Sequence, residues 1–217
     1  MRSRDLAEPL GDLMPAFDRY FEKTGDRIPK EVIDYHTVRF NLATPTTCAP
    51  LVEAPPAPVD LIQYVAWYWV WSRVSIEVMA DMMGVSLPSP VIPEPVRTRY
   101  GPSHEWLVDK LGTLRSESDD FLRYELDNAW RGASYLARVE SMWPEMEKEE
   151  AAEIDALLGR VTTPLDREAD LEAFVLEHGA AHEEALMQFF QKRCLRQEAL
   201  YEPVARELKG VNIQLMR

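Results

Sequence analysis

Seven of the 16 prolines fall into two tight clusters, and between them the chain has room for one uninterrupted helix. Ala54-Pro55-Pro56-Ala57-Pro58 cannot be regular structure, because successive prolines remove backbone donors and restrict the residue before each of them. Pro88, Pro90, Pro93 and Pro95 repeat that restriction and mark an extended linker. Between the clusters, Asp60 can cap a first helical turn and Gly84 suits the left-handed residue that follows a last one. The apolar run inside, Tyr64 to Trp71, is eight residues long, far short of the roughly 20 that a membrane-crossing helix needs. A helix over 60–83 is therefore expected to lie in a protein core, with Arg73, Glu77 and Asp81 as a solvated stripe at i, i+4 spacing.

Periodicity and stop signals place further helices on both sides. Pro15 to Lys23 and Pro29 to Ala43 carry apolar residues at helical spacing, separated by Thr24-Gly25-Asp26. Ser103 or His104 to Thr113 reads as a short amphipathic helix, and Ser118-Asp119-Asp120 as the cap and acidic first turn of a long one. That helix is expected to turn Leu122, Leu126, Ala129, Ala133, Leu136 and Ala137 inward and to end at Trp143-Pro144. Helices over 145–158, 167–178 and 181–208 follow by the same logic, the first two closed by Gly159 and Gly179. Nine glycines against 16 prolines, with no strand pattern of useful length, argue against a β-sandwich. The expected fold is all-α: helical units over 1–86 and 103–217, joined by a proline-rich linker over 87–102.

Charge bears on partners. The net charge is -13, and the acids concentrate downstream: 13 acids against 10 bases in residues 1–100, 24 against 14 in residues 101–217. Such a surface repels phosphate backbones, so nucleic acid is not an expected partner, nor is a membrane. Cys48 and Cys194 lie far apart without CxxC spacing, which speaks against a disulfide framework or zinc site and fits a reducing compartment. Met1-Arg2-Ser3-Arg4-Asp5 leads into no apolar stretch, so a cytoplasmic protein without a signal peptide is expected.

Chemistry-bearing patterns are sparse. His178 and His182, with Glu183 adjacent, have the i, i+4 spacing of a metal pair, but a helix stop at Gly179 would separate them into a helix-end cation and the start of the next element. The carboxylates Asp119-Asp120, Asp127 and Glu145 to Glu150 fit first turns and solvated faces as well as a cation site. There is no GxSxG elbow, GxGxxG loop or Walker loop, and neither cysteine has a histidine beside it in sequence. No catalytic residue, metal ligand or cofactor is assigned. Among Tyr64, Trp67, Tyr68, Trp69 and Trp71, four share one helix face: Tyr64, Trp67, Tyr68 and Trp71, at i, i+3, i+4 and i+7. Rings so placed serve either as core or as the wall of a pocket for an apolar or cationic ligand, with Arg73 at its charged end.

Residues 5–83 resemble the C-terminal lobe of the aminoglycoside phosphotransferase and choline kinase-like family. The resemblance rests on Glu8-Pro9-Leu10-Gly11-Asp12-Leu13, then Phe17-Asp18-Arg19-Tyr20, the Thr24-Gly25 break and Tyr35-His36-Thr37-Val38. Residues 104–217, especially Tyr124 to Leu136 and Leu195 to Pro203, resemble a helical domain of unknown function associated with such enzymes. The family needs a nucleotide-gripping lobe and a His-x-Asp-x(4)-Asn loop. None of His36, His104, His178 and His182 is followed by x-Asp. The resemblance thus implies the acceptor-binding half of a phosphotransferase, working with a kinase-like partner chain that carries the ATP lobe, or a degenerate, non-catalytic relative kept for binding, or a truncated frame. The rival expectation, from the residues themselves, is a stand-alone helical protein that binds a small apolar or cationic molecule on the aromatic helix. A metal-dependent hydrolase at His178 and His182 is a third.

Overall fold

The computed structural model describes residues 13–57, 59–213 and 215. Those residues are all-helical, with no strand among them: α1 (Met14–Thr24), α2 (Lys30–Asn41), α3 (Ala43–Glu53), α4 (Leu61–Met83), α5 (Gly101–Glu117), α6 (Asp120–Leu158), α7 (Arg167–His178) and α8 (Glu183–Tyr201). Short 3₁₀ turns follow at Gly179–Ala181, Glu202–Val204 and Arg206–Leu208. No helix among the described residues is long and apolar enough to cross a membrane.

Helix α4 is the element around which the others pack. Its first turn is capped by the Asp60 carboxylate, which accepts the Gln63 N–H at 3.1 Å, and Gly84 ends it at φ 68°. Ile62, Val65 and Ala66 pack with Tyr201, Val204, Ala205 and Leu208. One turn on, Val70, Val74 and Val78 meet Ile213, and Ile76 and Ala80 meet Met187 and Cys194 of α8. Helices α2 and α3 cover another side. A helix with apolar residues all round has to be enclosed in this way. The core therefore joins residues from both sides of the extended stretch 85–98. Ionic ties add to it: the buried Arg131 of α6 reaches Asp60 at 2.7 Å, and Arg206, whose φ of 52° is unusual for a residue with a side chain, grips both Asp60 and Asp127.

Several helix boundaries depart from expectation. The helix expected to stop at Trp143-Pro144 continues as a single α6 of 39 residues, about 58 Å, with Pro144 inside it. Proline removes the hydrogen bond to the Glu140 carbonyl, but Met142 and Met146 on either side are fully buried against Leu200. Packing holds both flanks in one line. Helix α3, over residues mostly beyond the expected helix of Pro29 to Ala43, contains Pro45 and Pro50. Pro45 sits in the first turn, where a missing N–H costs nothing, and Cys48 is buried against the rest of the molecule. Helix α5 runs on to Glu117, past Thr113, and the final helix stops at Tyr201 because Pro203 cannot extend it.

The stripe expected to face inward on α6 is also split. Ala133 is buried, whereas Leu122 and Leu136 are about half exposed and Ala129 is exposed as well. The side of α6 carrying Arg131, Tyr135 and Met142 meets the core instead. Helix α5 folds back antiparallel on α6, held by Arg115–Asp127 at 2.5 Å and His104–Glu140 at 3.1 Å.

Candidate functional site: an apolar groove between α4 and α8

Two rows of side chains form a groove. Helix α4 contributes Tyr68, Ser72, Ile76, Met79 and Met83, which recur every three to four residues and so project along one line. Helix α8 contributes Leu186, Met187, Phe190 and Cys194 by the same spacing, and the turn after α7 closes one end with Gly179 and Ala180. The cavity measures about 540 Å³. The Trp69 and Tyr68 rings stand edge to face at 4.8 Å on its wall, and Phe190 faces across.

Two charged side chains reach this groove, the exposed Glu183 at its rim and Arg193, which is committed elsewhere. Arg193 binds Glu150 at 2.9 Å and Glu168 at 2.8 Å, with its guanidinium 4.9 Å from the Phe189 ring centre. Burial opposes its charge, but the two carboxylates outweigh that and hold the guanidinium protonated. Burial pushes the Cys194 thiol up to about 12, so it is a neutral thiol without nucleophilic power. Burial likewise raises Tyr68, which keeps a neutral phenol at the rim. Such a lining offers apolar contact and ring stacking.

The five residues expected to form one site fall into four surroundings. Tyr68 lines the groove. Tyr64 and Trp67, edge to face at 5.5 Å, line a different cleft of about 600 Å³ beside Asp60, Gln63, Tyr124 and Arg206. Trp71 packs onto the cluster of Val70, Val74 and Val78 with Val38. Arg73 leaves no charged end for a ligand and does not lie on a solvated stripe: it is 3% exposed and lines neither cavity. Its Nε donates to Glu198 at 2.5 Å, its Nη1 to Glu77 at 2.7 Å and its Nη2 to the Val211 carbonyl. A guanidinium satisfied on three sides can be buried where a stripe was expected.

Sequence reasoning passed over Ile76, Met79, Met83, Leu186, Met187 and Phe190. Their signal was legible as helical rows, but nothing in a sequence says that two rows face each other across a gap. His182 Nδ1 is 3.1 Å from the His178 carbonyl, and both rings pack on Phe174 at 4.9 and 5.5 Å. Among the described residues no group of three His, Cys, Asp or Glu side chains is placed to hold a metal ion. Residues 8–12, which carry part of the expected resemblance to phosphotransferases, lie outside the described residues.

Comparison with protein-family models, with curated proteins and with solved structures finds no match to this chain.

Proposed function

We propose that this is a binding protein without chemistry of its own, whose groove between α4 and α8 takes an uncharged, ring-bearing apolar molecule. The observation that carries the proposal is the groove's lining: Trp69, Tyr68 and Phe190 supply flat surfaces, and Met79, Met83 and Met187 supply flexible ones that adapt to a ligand's outline. Its volume lies within the range usual for small-molecule sites. An anionic ligand gains little here because Arg193 already has two carboxylate partners. A cationic one would meet only the exposed Glu183 at the rim. The phosphotransferase half-site reading would use an acceptor surface of this kind too, but it rests on sequence resemblance alone and needs a partner chain that co-purifies.

The test uses N-phenyl-1-naphthylamine, an uncharged dye that fluoresces in apolar sites. Saturable one-to-one binding is expected, with quenching of tryptophan emission through Trp69. Ala180 is exposed at the groove's end, so Ala180→Trp should fill the groove and weaken dye binding about tenfold or more without lowering the denaturation midpoint. Tyr64→Ala, in the other cleft, should leave binding unchanged. Failure of the wild type to bind, or equal binding by Ala180→Trp, would refute the proposal.

A further inference from the structure

The α5–α6 hairpin touches the rest of the molecule through one side only. Helix α5 has no buried residue and packs closely against α6 alone. On the far side α6 exposes Leu122, Ala129 and Leu136, spaced seven residues apart, and α5 exposes Leu107 and Leu114 at the same interval. Seven-residue spacing keeps side chains on one narrow line, the pattern of a helix seam that meets another helix. Leu122, Ala129 and Leu136 are residues whose periodicity reads as core, and none of the described elements covers the face.

The register of the hairpin shows what fits there. His104 lies opposite Glu140, Gly112 opposite Trp130 and Arg115 opposite Asp127, which sets Leu114 level with Ala129. About that level the stripe is a palindrome: on α6, Leu122 and Leu136 are equidistant from Ala129. On the flank of α5, Lys110 and Glu117 straddle the same level one heptad apart, and neither has an ion-pair partner among the described residues. A two-fold axis through Ala129 therefore sets Leu122 against Leu136 of a second copy, lets the two α6 backbones approach at their alanines, and brings Lys110 to the copy's Glu117 twice.

We infer that this face pairs with a second copy of the chain, as an antiparallel four-helix seam of two α5–α6 hairpins. The pairing is isologous, so one patch serves both subunits. Lys110 and Glu117 complement each other in that symmetric arrangement, which is the argument for a copy over an unrelated partner. The groove between α4 and α8 lies on other elements, so the inference stands apart from the ligand proposal.

Sedimentation equilibrium on the full chain should give twice the 25.0 kDa chain mass. Ala129→Glu places two like charges on the axis of an already exposed position, so it should yield a monomer with an unchanged helical spectrum. Lys110→Glu should raise the dimer dissociation constant about tenfold, and adding Glu117→Lys should restore it, because the swapped pair regains its partner across the axis. A wild type that stays monomeric at high micromolar concentration overturns the inference. So does a dimer indifferent to Ala129→Glu, or a charge reversal that the second substitution fails to rescue.

Discussion

Glu150 illustrates how one buried carboxylate responds to its neighbours. It is 6% exposed, lies 2.9 Å from Arg193 and also faces Arg196, and its Oε2 has no hydrogen-bond partner. Burial raises its pKa above the usual carboxylate value, and the attraction of the two arginines only partly offsets this. The folded state thus holds this proton more tightly than the unfolded chain does. Above the folded pKa the buried charge weighs against folding. That burden is relieved as pH falls through the raised value and is gone below the unfolded value of about 4.3. Comparison with Glu150→Gln isolates the effect, since Asp127 and Glu153, which shift the opposite way, are common to both proteins. Between pH 7 and about 4.3 the wild type should gain stability relative to the variant in urea unfolding. A difference that is flat, or that moves the other way, would contradict this. Arg73 belongs to the same scale: an i, i+4 spacing to Glu77 reads as a surface pair, and only Glu198 and the Val211 carbonyl, distant in sequence, turn it into a buried one.

At the scale of elements, caps were legible and interruptions were not. Asp60 and Gly84 bound α4, and Asp119 and Gly159 bound α6, because a cap is a local contract between a side chain and the nearest free backbone groups. Pro144 is local too, but whether it ends a helix depends on what holds its flanks, and Met142 and Met146 are held by α8. The missing hydrogen bond remains as a cost. Pro144→Ala should therefore stabilise the protein by about 1–3 kcal/mol, read as a higher thermal midpoint. A lowered midpoint would mean that the packing around α6 requires the bend proline imposes. The groove shows the same division: each of its rows follows from helical period, while their facing follows from α8 folding back on α4.

For the whole molecule, the central fact is that α4 is enclosed by helices on both sides of it in the chain. Tyr201, Val204 and Leu208 bury themselves on Ile62, Val65 and Ala66, and the Arg73–Glu198 and Arg131–Asp60 pairs cross the same boundary. Residues 103–217 alone would expose that apolar surface and strip Arg131 and Glu198 of their partners Asp60 and Arg73. The fragment should keep helical far-ultraviolet dichroism but lose the near-ultraviolet signal and the cooperative thermal transition of the full chain. A fragment that melts cooperatively near the full-length midpoint would show instead that the second half has a self-sufficient core.

The sequence by itself determined the all-helical class, the position and caps of the central helix, and the break between α7 and α8. These depend on propensity, proline geometry and capping, all of which act over a few residues. Tertiary structure alone decided which apolar rows are core, which line a groove and which stay bare. Leu122, Ala129 and Leu136 line one helix face just as the buried Val70, Val74 and Val78 do, but only the latter have helices and the Ile213 segment placed over them. A helical period states that a face is apolar; what covers that face is settled by contacts between residues far apart in the chain, where local rules have no reach.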